Sequence, residues 1–147
     1  MHLSIATAED IPALADLLAI LFCQEAEFTP NPPLQIAALN KIIANPTLGE
    51  IIIARINDEA VGMVNLLYTC STALGGTVGL LEDMVIKPGW RRQNLGTHLL
   101  EYAIDRARSR GCLRITLLTD SNNTEAQRFY HRQGFTASTM LPMRLIL

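Results

Sequence analysis

The stretch from Val85 to Leu100, VIKPGWRRQNLGTHLL, constrains the fold more than any other part of the chain. An apolar run ends at Pro88-Gly89, polar residues follow, and from Leu95 apolar residues recur at helical spacing. A strand that ends in a turn and feeds a helix brings free backbone N–H groups to one point, where the helix dipole adds positive potential. The stretch therefore predicts a strand, an anion-binding turn and a long helix that ends near Gly111.

Six consecutive backbone groups are the candidate anion donors in this turn: those of Arg92, Gln93, Asn94, Leu95, Gly96 and Thr97. Glycine at position 96 allows a ligand to approach the backbone closely, and asparagine at position 94 tolerates a positive φ. The side chains of Arg91 and Arg92 add charge and fork-shaped donors. No Gly-Lys-Ser/Thr follows, so this is not a Walker loop. Taken alone, the segment is equally compatible with a polar turn that carries solvated arginines.

The rest of the chain predicts a mixed sheet with helices on its faces. Apolar strand patterns occur at HLSIA, EIIIARI, AVGMVNLLYT, TVGLLEDMVI, LRITLLT, FTAST and LPMRLIL, and NDE reads as a hairpin turn between the second and third. Helical patterns begin after Asp10, run from about Leu34 to Ala44, begin again at Leu95, and cover TEAQRFYHRQ. We interpret residues 1–147 as one domain.

Composition excludes several classes of function. The net charge of −2 does not favour nucleic acid, and no apolar run is long enough to cross a bilayer. The start, MHLSIATAED, lacks the basic and apolar regions of a signal peptide, and three scattered cysteines indicate reduced thiols, so we expect a cytoplasmic protein. The three histidines lack metal-ligand spacing, and we predict no metal.

Two adjacent acids, Glu82 and Asp83, interrupt an otherwise apolar strand. Such a break in the local pattern often marks function, and a carboxyl group in apolar surroundings can serve as a general base. Side chains alternate along a strand, so we expect the two acids to face opposite sides of the sheet. A salt-bridged or solvent-facing strand acid is the alternative for Glu82.

Two motifs in order resemble the GNAT superfamily of acetyl-CoA-dependent N-acetyltransferases. The family's acyl-CoA loop, Arg/Gln-x-x-Gly-x-Gly/Ala, reads here Arg91-Arg92-Gln93-Asn94-Leu95-Gly96. A later pattern, Asn-x-x-Ala-x-x-Phe-Tyr-x-x-x-Gly-Phe, matches Asn123, Ala126, Phe129, Tyr130, Gly134 and Phe135. The chain departs from the family at Asn94, which replaces the usual glycine, and at Arg92, where glycine is common.

The resemblance implies an α/β (mixed α+β) fold of the GNAT type, with a mostly antiparallel sheet of about seven strands and helices on both faces. The turn would hold the pyrophosphate of acetyl-CoA, and the strand edge at Met84, Val85 and Ile86 would pair with the pantetheine arm. Asn123 would lie near that arm. Tyr130 would lie near the thioester sulfur as general acid, and Glu82 would act as the base, directly or through a water.

The acceptor is predicted to be the primary amine of a small molecule. In the resembling family the segment around LFCQEAEFTPNPP walls the acceptor pocket, which makes Glu25, Glu27 and Phe28, together with Glu82, candidate substrate contacts. Solvated loop acids are the alternative. A protein acetyltransferase acting on a lysine or an N-terminus, and a non-catalytic acyl-CoA sensor, are the rival functions; a homodimer is expected by resemblance.

Overall fold

The computed structural model describes residues 1–25 and 28–147. Within these residues five strands form one sheet in the order β1-β2-β3-β4-β5. The strands are β1 (His2–Ile5), β2 (Gly49–Ile56), β3 (Glu59–Ser71), β4 (Gly76–Ile86) and β5 (Ile115–Leu117); the helices are α1 (Ile11–Phe22), α2 (Pro32–Ile43), α3 (Leu95–Ser109) and α4 (Thr124–Arg132). Neighbouring strands are antiparallel except β4 and β5, which are parallel. The predicted mixed, mostly antiparallel α/β sheet is confirmed.

Two hydrophobic layers cover the two faces of the sheet, as the prediction of helices on both faces requires. On one face α1 and α2 pack on β2, β3 and β4 through a cluster that includes Leu14, Leu39 and Met63. On the other face α3 and the aromatic side chains of α4 pack on a cluster that includes Leu66 and Leu99. The sheet is therefore the middle layer, and β4 contributes side chains to both hydrophobic clusters.

The predicted hairpin between β2 and β3 is confirmed. Asn57 and Asp58 form its turn with φ values of 48° and 64°. Both central residues of a type I′ turn need a positive φ, and asparagine and aspartate are the non-glycine residues that adopt it most readily.

The last two predicted strands are absent from the described residues, so the expected count of about seven strands was wrong. FTAST and LPMRLIL form no ladder, and the apolar side chains from Met140 to Leu147 are exposed. Both segments have a strand-like composition, but a strand also needs a neighbouring edge to accept its hydrogen bonds. Among the described helices, none is both long and apolar enough to span a bilayer.

Candidate active site

The turn between β4 and α3 has the backbone conformation of an anion cradle. Arg92 and Asn94 have φ values of 62° and 60°, so both residues that replace glycine adopt the left-handed conformation that glycine favours. Asn94 precedes the first helical residue, its side chain makes no capping hydrogen bond, and the first intrahelical bond runs from His98 N to Asn94 O at 3.1 Å. The N–H groups of Leu95 and Gly96 therefore lie at the positive end of α3 without an intrahelical acceptor.

Arg91 secures this cradle to the rest of the fold. Its Nε donates to the carbonyl oxygen of Ile86 at 3.1 Å, and a terminal nitrogen donates to Gln24 Oε1 at 3.0 Å. The side chain thus links the loop to the end of β4 and to the segment after α1. The neighbouring Arg92 and Gln93 are exposed and remain accessible to an anion.

One edge of β4 is open beside the cradle. β4 pairs with β5 from Gly79 to Leu81, whereas β4 itself continues to Ile86. No strand within the described residues covers the β5-facing edge of its last part, which includes Met84, Val85 and Ile86. Free backbone groups on such an edge can pair with an extended amide chain, as in β-augmentation.

A β-bulge interrupts β4 at the two acids. Met63 pairs with Val85 whereas Asn65 pairs with Glu82, so β4 carries one residue more than β3 between these pairs. Asp83 lies in this interval with a φ of 53°. The extra residue changes the alternation of side chains, and both Glu82 and Asp83 line the same cleft. The expectation that they face opposite sides of the sheet was wrong for this reason.

The cleft that receives both acids lies between β3, β4 and the two N-terminal helices. It has a volume of about 330 Å³, and its lining combines Gln35, Asn65, Glu82 and Asp83 with apolar side chains. The apolar part of the lining comprises Leu18, Phe22, Leu34, Ala38, Leu39, Ile42 and Leu67. This volume is at the lower end of the range for small-molecule sites.

Asp83, rather than its neighbour, is the shielded carboxyl group of the pair. Asn65 Nδ2 donates a hydrogen bond to Asp83 Oδ2 at 2.6 Å. Burial raises the pKa of Asp83 to about 6, and the nearby carboxylates of Glu82 and Glu25 add to the shift. Glu82 is exposed at the mouth of the cleft.

Tyr130 lies on the opposite face of β4, where α4 packs against the strand. Its hydroxyl donates to Met84 Sδ at 3.7 Å, a weak acceptor and the only hydrogen-bond partner recorded for it in the described part of the chain. Burial and the field of Glu25 raise the pKa of Tyr130 to about 12. Edge contacts with Phe129 and Phe135, at centroid distances of 5.2 and 5.8 Å, fix the ring.

The predicted acceptor wall is described only in part. Glu25 acts electrostatically on both Asp83 and Tyr130, which places its carboxylate near the candidate reaction centre. The ring of Phe28 contacts Phe22 with a centroid distance of 5.6 Å. The third candidate, Glu27, lies outside the described residues.

Asn123 has a structural role at the start of α4. Its Oδ1 accepts a hydrogen bond from Ala126 N at 3.0 Å and so caps the helix. This capping places α4, and with it Tyr130, against β4. A contact of Asn123 with the pantetheine arm stays a prediction.

Sequence reasoning did not identify Asn65, which is 3% exposed on β3. A polar residue in the apolar run AVGMVNLLYT was the available signal. Its amide oxygen, Oδ1, is buried without a hydrogen-bond partner in the structure as described. For metal ions, no cluster of three or more suitable side chains occurs in residues 1–25 and 28–147.

Comparison with known proteins matches most of the chain to one family of enzymes. The profile of the Acetyltransferase (GNAT) family matches residues 14–135. An aminoalkylphosphonate N-acetyltransferase of Salmonella typhimurium is 33% identical over 82 residues, which are 56% of this chain and 53% of that protein. The chain spans between 44% and 60% of the length of the curated relatives it matches.

Solved structures share the fold over nearly the whole chain. An integron cassette protein from the mobile metagenome of Cole Harbour Salt Marsh superposes with a TM-score of 0.87 at 26% identity, over 99% of this chain and 90% of that one. A predicted acetyltransferase from Clostridium acetobutylicum, crystallised with acetyl-CoA, superposes with a TM-score of 0.80 at 19% identity, over 97% and 95% of the two chains.

Proposed function

The chain belongs to the GNAT acetyltransferase family, and we propose on that basis that it transfers the acetyl group of acetyl-CoA to a primary amine of a small molecule. The observation that carries this proposal is the convergence at one strand, β4, of three features. The cradle and the open edge lie at its end, the Tyr130 hydroxyl lies on one face, and the carboxyl-lined cleft lies on the other.

Acetyl-CoA fits the first of these features. The N–H groups at the start of α3, together with the exposed Arg92 and Gln93, can hold its pyrophosphate. The edge of β4 from Met84 to Ile86 can pair with the amides of the pantetheine arm. Arg91 would hold the loop in this shape through its hydrogen bonds to Ile86 O and Gln24 Oε1. Alternatively, its guanidinium group would release Gln24 and contact a phosphate.

Tyr130 is proposed as the general acid. Transfer forms a bond between the amine nitrogen and the acetyl carbon and breaks the carbon–sulfur bond, and the leaving thiolate then takes a proton. The raised pKa of the Tyr130 phenol keeps it protonated until the thiolate forms. A backbone N–H of the Met84–Val85 segment is proposed to stabilise the thioester oxygen as it gains charge.

Glu82 is proposed as the base, directly or through a water. An amine reaches the enzyme mainly as an ammonium ion and must lose a proton before it attacks. Glu82 lies at the mouth of the cleft, where it can exchange protons with solvent. Positioning of the two substrates would supply the largest part of the rate enhancement.

The small-molecule acceptor is supported by the size of the cleft and by the Salmonella relative, whose name denotes a small amine substrate. Glu25 and Phe28 are proposed to contact this acceptor, as is Glu27. The three free cysteines, Cys23, Cys70 and Cys112, support our placement of the protein in the cytoplasm.

A homodimer is proposed from the exposed C-terminal apolar segment, Met140–Leu147. Its large apolar side chains have exposed fractions of 82% or more: Met140, Leu141, Met143, Leu145, Ile146 and Leu147. Continuous apolar exposure of this kind marks an interaction surface. The short strand β5, flanked by the exposed Leu113 and Leu118, offers an edge on which the segment of a second copy can pair.

Calorimetric titration with acetyl-CoA, followed by a thiol-release screen of amines on the same sample, tests the function. Binding followed by thiol release with small amines is the expected result. Binding with release only from peptides would replace the small molecule by a protein acceptor, and binding without release would indicate a sensor. Absence of binding would overturn the proposal.

A further inference from the structure

Three energetically unfavourable features meet at the β4 bulge on the side of the cleft. Asp83 adopts a left-handed backbone conformation, with a φ of 53°. Its carboxyl group is partly buried, in the electrostatic field of two other carboxylates, those of Glu82 and Glu25. The Oδ1 atom of Asn65 is buried without a partner among the described residues. Such features persist in a fold when they serve binding or catalysis.

The three features share one chemical requirement. While Asp83 is ionised, Asn65 must direct its NH₂ group toward the carboxylate, as the 2.6 Å contact records, and its oxygen is then an unsatisfied acceptor. The carboxylates of Asp83 and Glu82 accept hydrogen bonds and donate none. The side chains that line the cleft thus include two carboxylates and no cation, and a primary ammonium group supplies three hydrogen-bond donors and one positive charge.

We propose that Asp83 and Asn65 form the seat of the acceptor's ammonium group, and that Asp83 takes its first proton in place of Glu82, which then acts as the relay to solvent. This inference rests on the proposed function. The ammonium would donate to the carboxylate of Asp83 and to Oδ1 of Asn65. Glu82, exposed at the mouth of the same cleft, then receives the proton from Asp83, through a water, and passes it to solvent.

The proton balance of the reaction is complete with these groups. Asp83 takes one proton from the ammonium, and the neutral amine attacks the acetyl carbon. The carbon–sulfur bond breaks, Tyr130 gives its phenolic proton to the thiolate, and the second proton lost by the nitrogen restores the phenol. One proton leaves to solvent in each turnover, and no further reactant is needed.

The rest of the cleft defines the class of amine. Phe22, Leu34 and Ile42 provide an apolar wall behind the two acids. An anionic group on the acceptor would be repelled by Glu82 and Asp83 or would lie, without a partner, against this apolar wall. The seat therefore selects a primary amine on a short apolar body, such as an alkylamine, against an amino acid of the same length.

Comparison of n-butylamine with γ-aminobutyrate tests this selection, because the two differ only by a terminal carboxylate in place of a methyl group. We expect the wild type to acetylate n-butylamine with a KM at least about tenfold lower. Asp83→Asn should raise the KM for n-butylamine about tenfold or more and leave the Kd of acetyl-CoA within about twofold. Asn65→Leu should raise the same KM with acetyl-CoA binding unchanged.

Asp58→Asn is the matched control, because Asp58 also has a positive φ but lies in the exposed β2–β3 turn. It should change neither KM nor Kd. Titration with n-butylammonium, followed by NMR, should also shift the side-chain amide signals of Asn65 in the wild type and not in Asp83→Asn.

The seat would be overturned by an unchanged KM in Asp83→Asn, or by Asn65 amide signals that do not respond to the amine. The proposed function would still stand in either case if the protein binds acetyl-CoA. A preference for γ-aminobutyrate would overturn the proposed selection. Failure of the wild type to bind acetyl-CoA would overturn the proposed function itself, and with it the seat.

Discussion

At the scale of single residues, the Tyr130 hydroxyl has an unusually weak hydrogen-bond acceptor for a partly buried tyrosine. A buried tyrosine usually has a good acceptor for its hydroxyl, whereas Tyr130 donates to a thioether sulfur at 3.7 Å. Loss of so weak a bond should cost the fold little free energy. A tyrosine in this position is therefore available for a partner that arrives with the substrate.

Tyr130→Phe should lower kcat by about 10²-fold or more, because the departing thiolate loses its proton donor. The Kd of acetyl-CoA, measured by calorimetry, should stay within about twofold of the wild type. Tyr102→Phe, a change of the same kind in the half-buried part of α3, should leave kcat unaltered. An equal kcat for Tyr130→Phe and wild type would remove Tyr130 from the acid role.

Asp83 is expected to oppose stability while it serves activity. Its pKa is raised from the ordinary 3.8 to about 6, so the folded state favours the protonated carboxyl group. The associated stabilisation is complete below pH 3.8 and is lost as the pH rises through about 6. At pH 7 the ionised carboxylate therefore destabilises the fold, by about 3 kcal/mol on conversion of the shift.

Asp83→Asn should accordingly raise the free energy of unfolding at pH 7 by about 2–3 kcal/mol, since asparagine also tolerates the left-handed conformation. Urea unfolding at pH 7 and at pH 4 measures this gain, which should shrink at the lower pH. Asp58→Asn should stay within about 0.5 kcal/mol. A destabilised Asp83→Asn protein would mean that the carboxylate is a structural group.

At the scale of secondary-structure elements, an ion cluster around the buried Glu50 joins the end of α3 to the sheet. Glu50 on β2 is 6% exposed and accepts hydrogen bonds from Arg106 on α3 and from Arg110, the residue that follows this helix, both at 2.6 Å. It also accepts one from Tyr68 on β3 at 2.9 Å. Burial opposes ionisation, but these bonds outweigh it and lower the pKa of Glu50 to about 2. These two arginines therefore fix the position of the helix that begins at the cradle.

Glu50→Gln should lower the free energy of unfolding at pH 7 by about 2 kcal/mol, less than the full pKa shift implies because both arginines are about one third exposed. The stabilisation by Glu50 is present above pH 4.5 and is lost as the pH falls toward 2. Denaturant titrations between pH 7 and pH 2 should show this loss in the wild type and not in Glu50→Gln.

Glu101→Gln on the exposed face of the same helix provides the matched control. The carboxylate of Glu101 is 3.6 Å from His98 Nδ1, and both side chains are more than half exposed. The substitution should change stability by less than about 0.5 kcal/mol. If the two variants lose equal stability, the cluster does not anchor α3.

At the scale of the whole molecule, the C-terminal apolar segment exposes the large apolar side chains of six residues. Multi-angle light scattering should give the mass of a dimer for the wild type. Leu145→Asp combined with Leu147→Asp should give a monomer, because buried aspartates at an interface lack partners. Leu74→Asp, in the loop between β3 and β4 and 45% exposed, should leave the dimer intact. A monomeric wild type would contradict the proposed assembly.

Prediction from the sequence was accurate where the interactions are local. The β2–β3 hairpin follows from two residues that accept a positive φ, and the start of α3 follows from apolar spacing after a polar turn. Asn94 in the left-handed conformation confirms that this turn can form without the glycine usual in the family. Arg92 adopts the same conformation, although its residue type alone does not favour it.

The sequence by itself thus determined the order of elements as far as α4, the turn between β4 and α3, and the helix that carries Tyr130, because each depends on residues adjacent in the chain. Only the tertiary structure decided that β4 bulges and places both acids in one cleft. It also decided that Asn65 contacts Asp83, that Glu50 contacts Arg106, and that the C-terminal segment adds no strand to the sheet in the described part of the chain. These outcomes depend on strand register and on contacts between residues distant in sequence, to which local periodicity is insensitive.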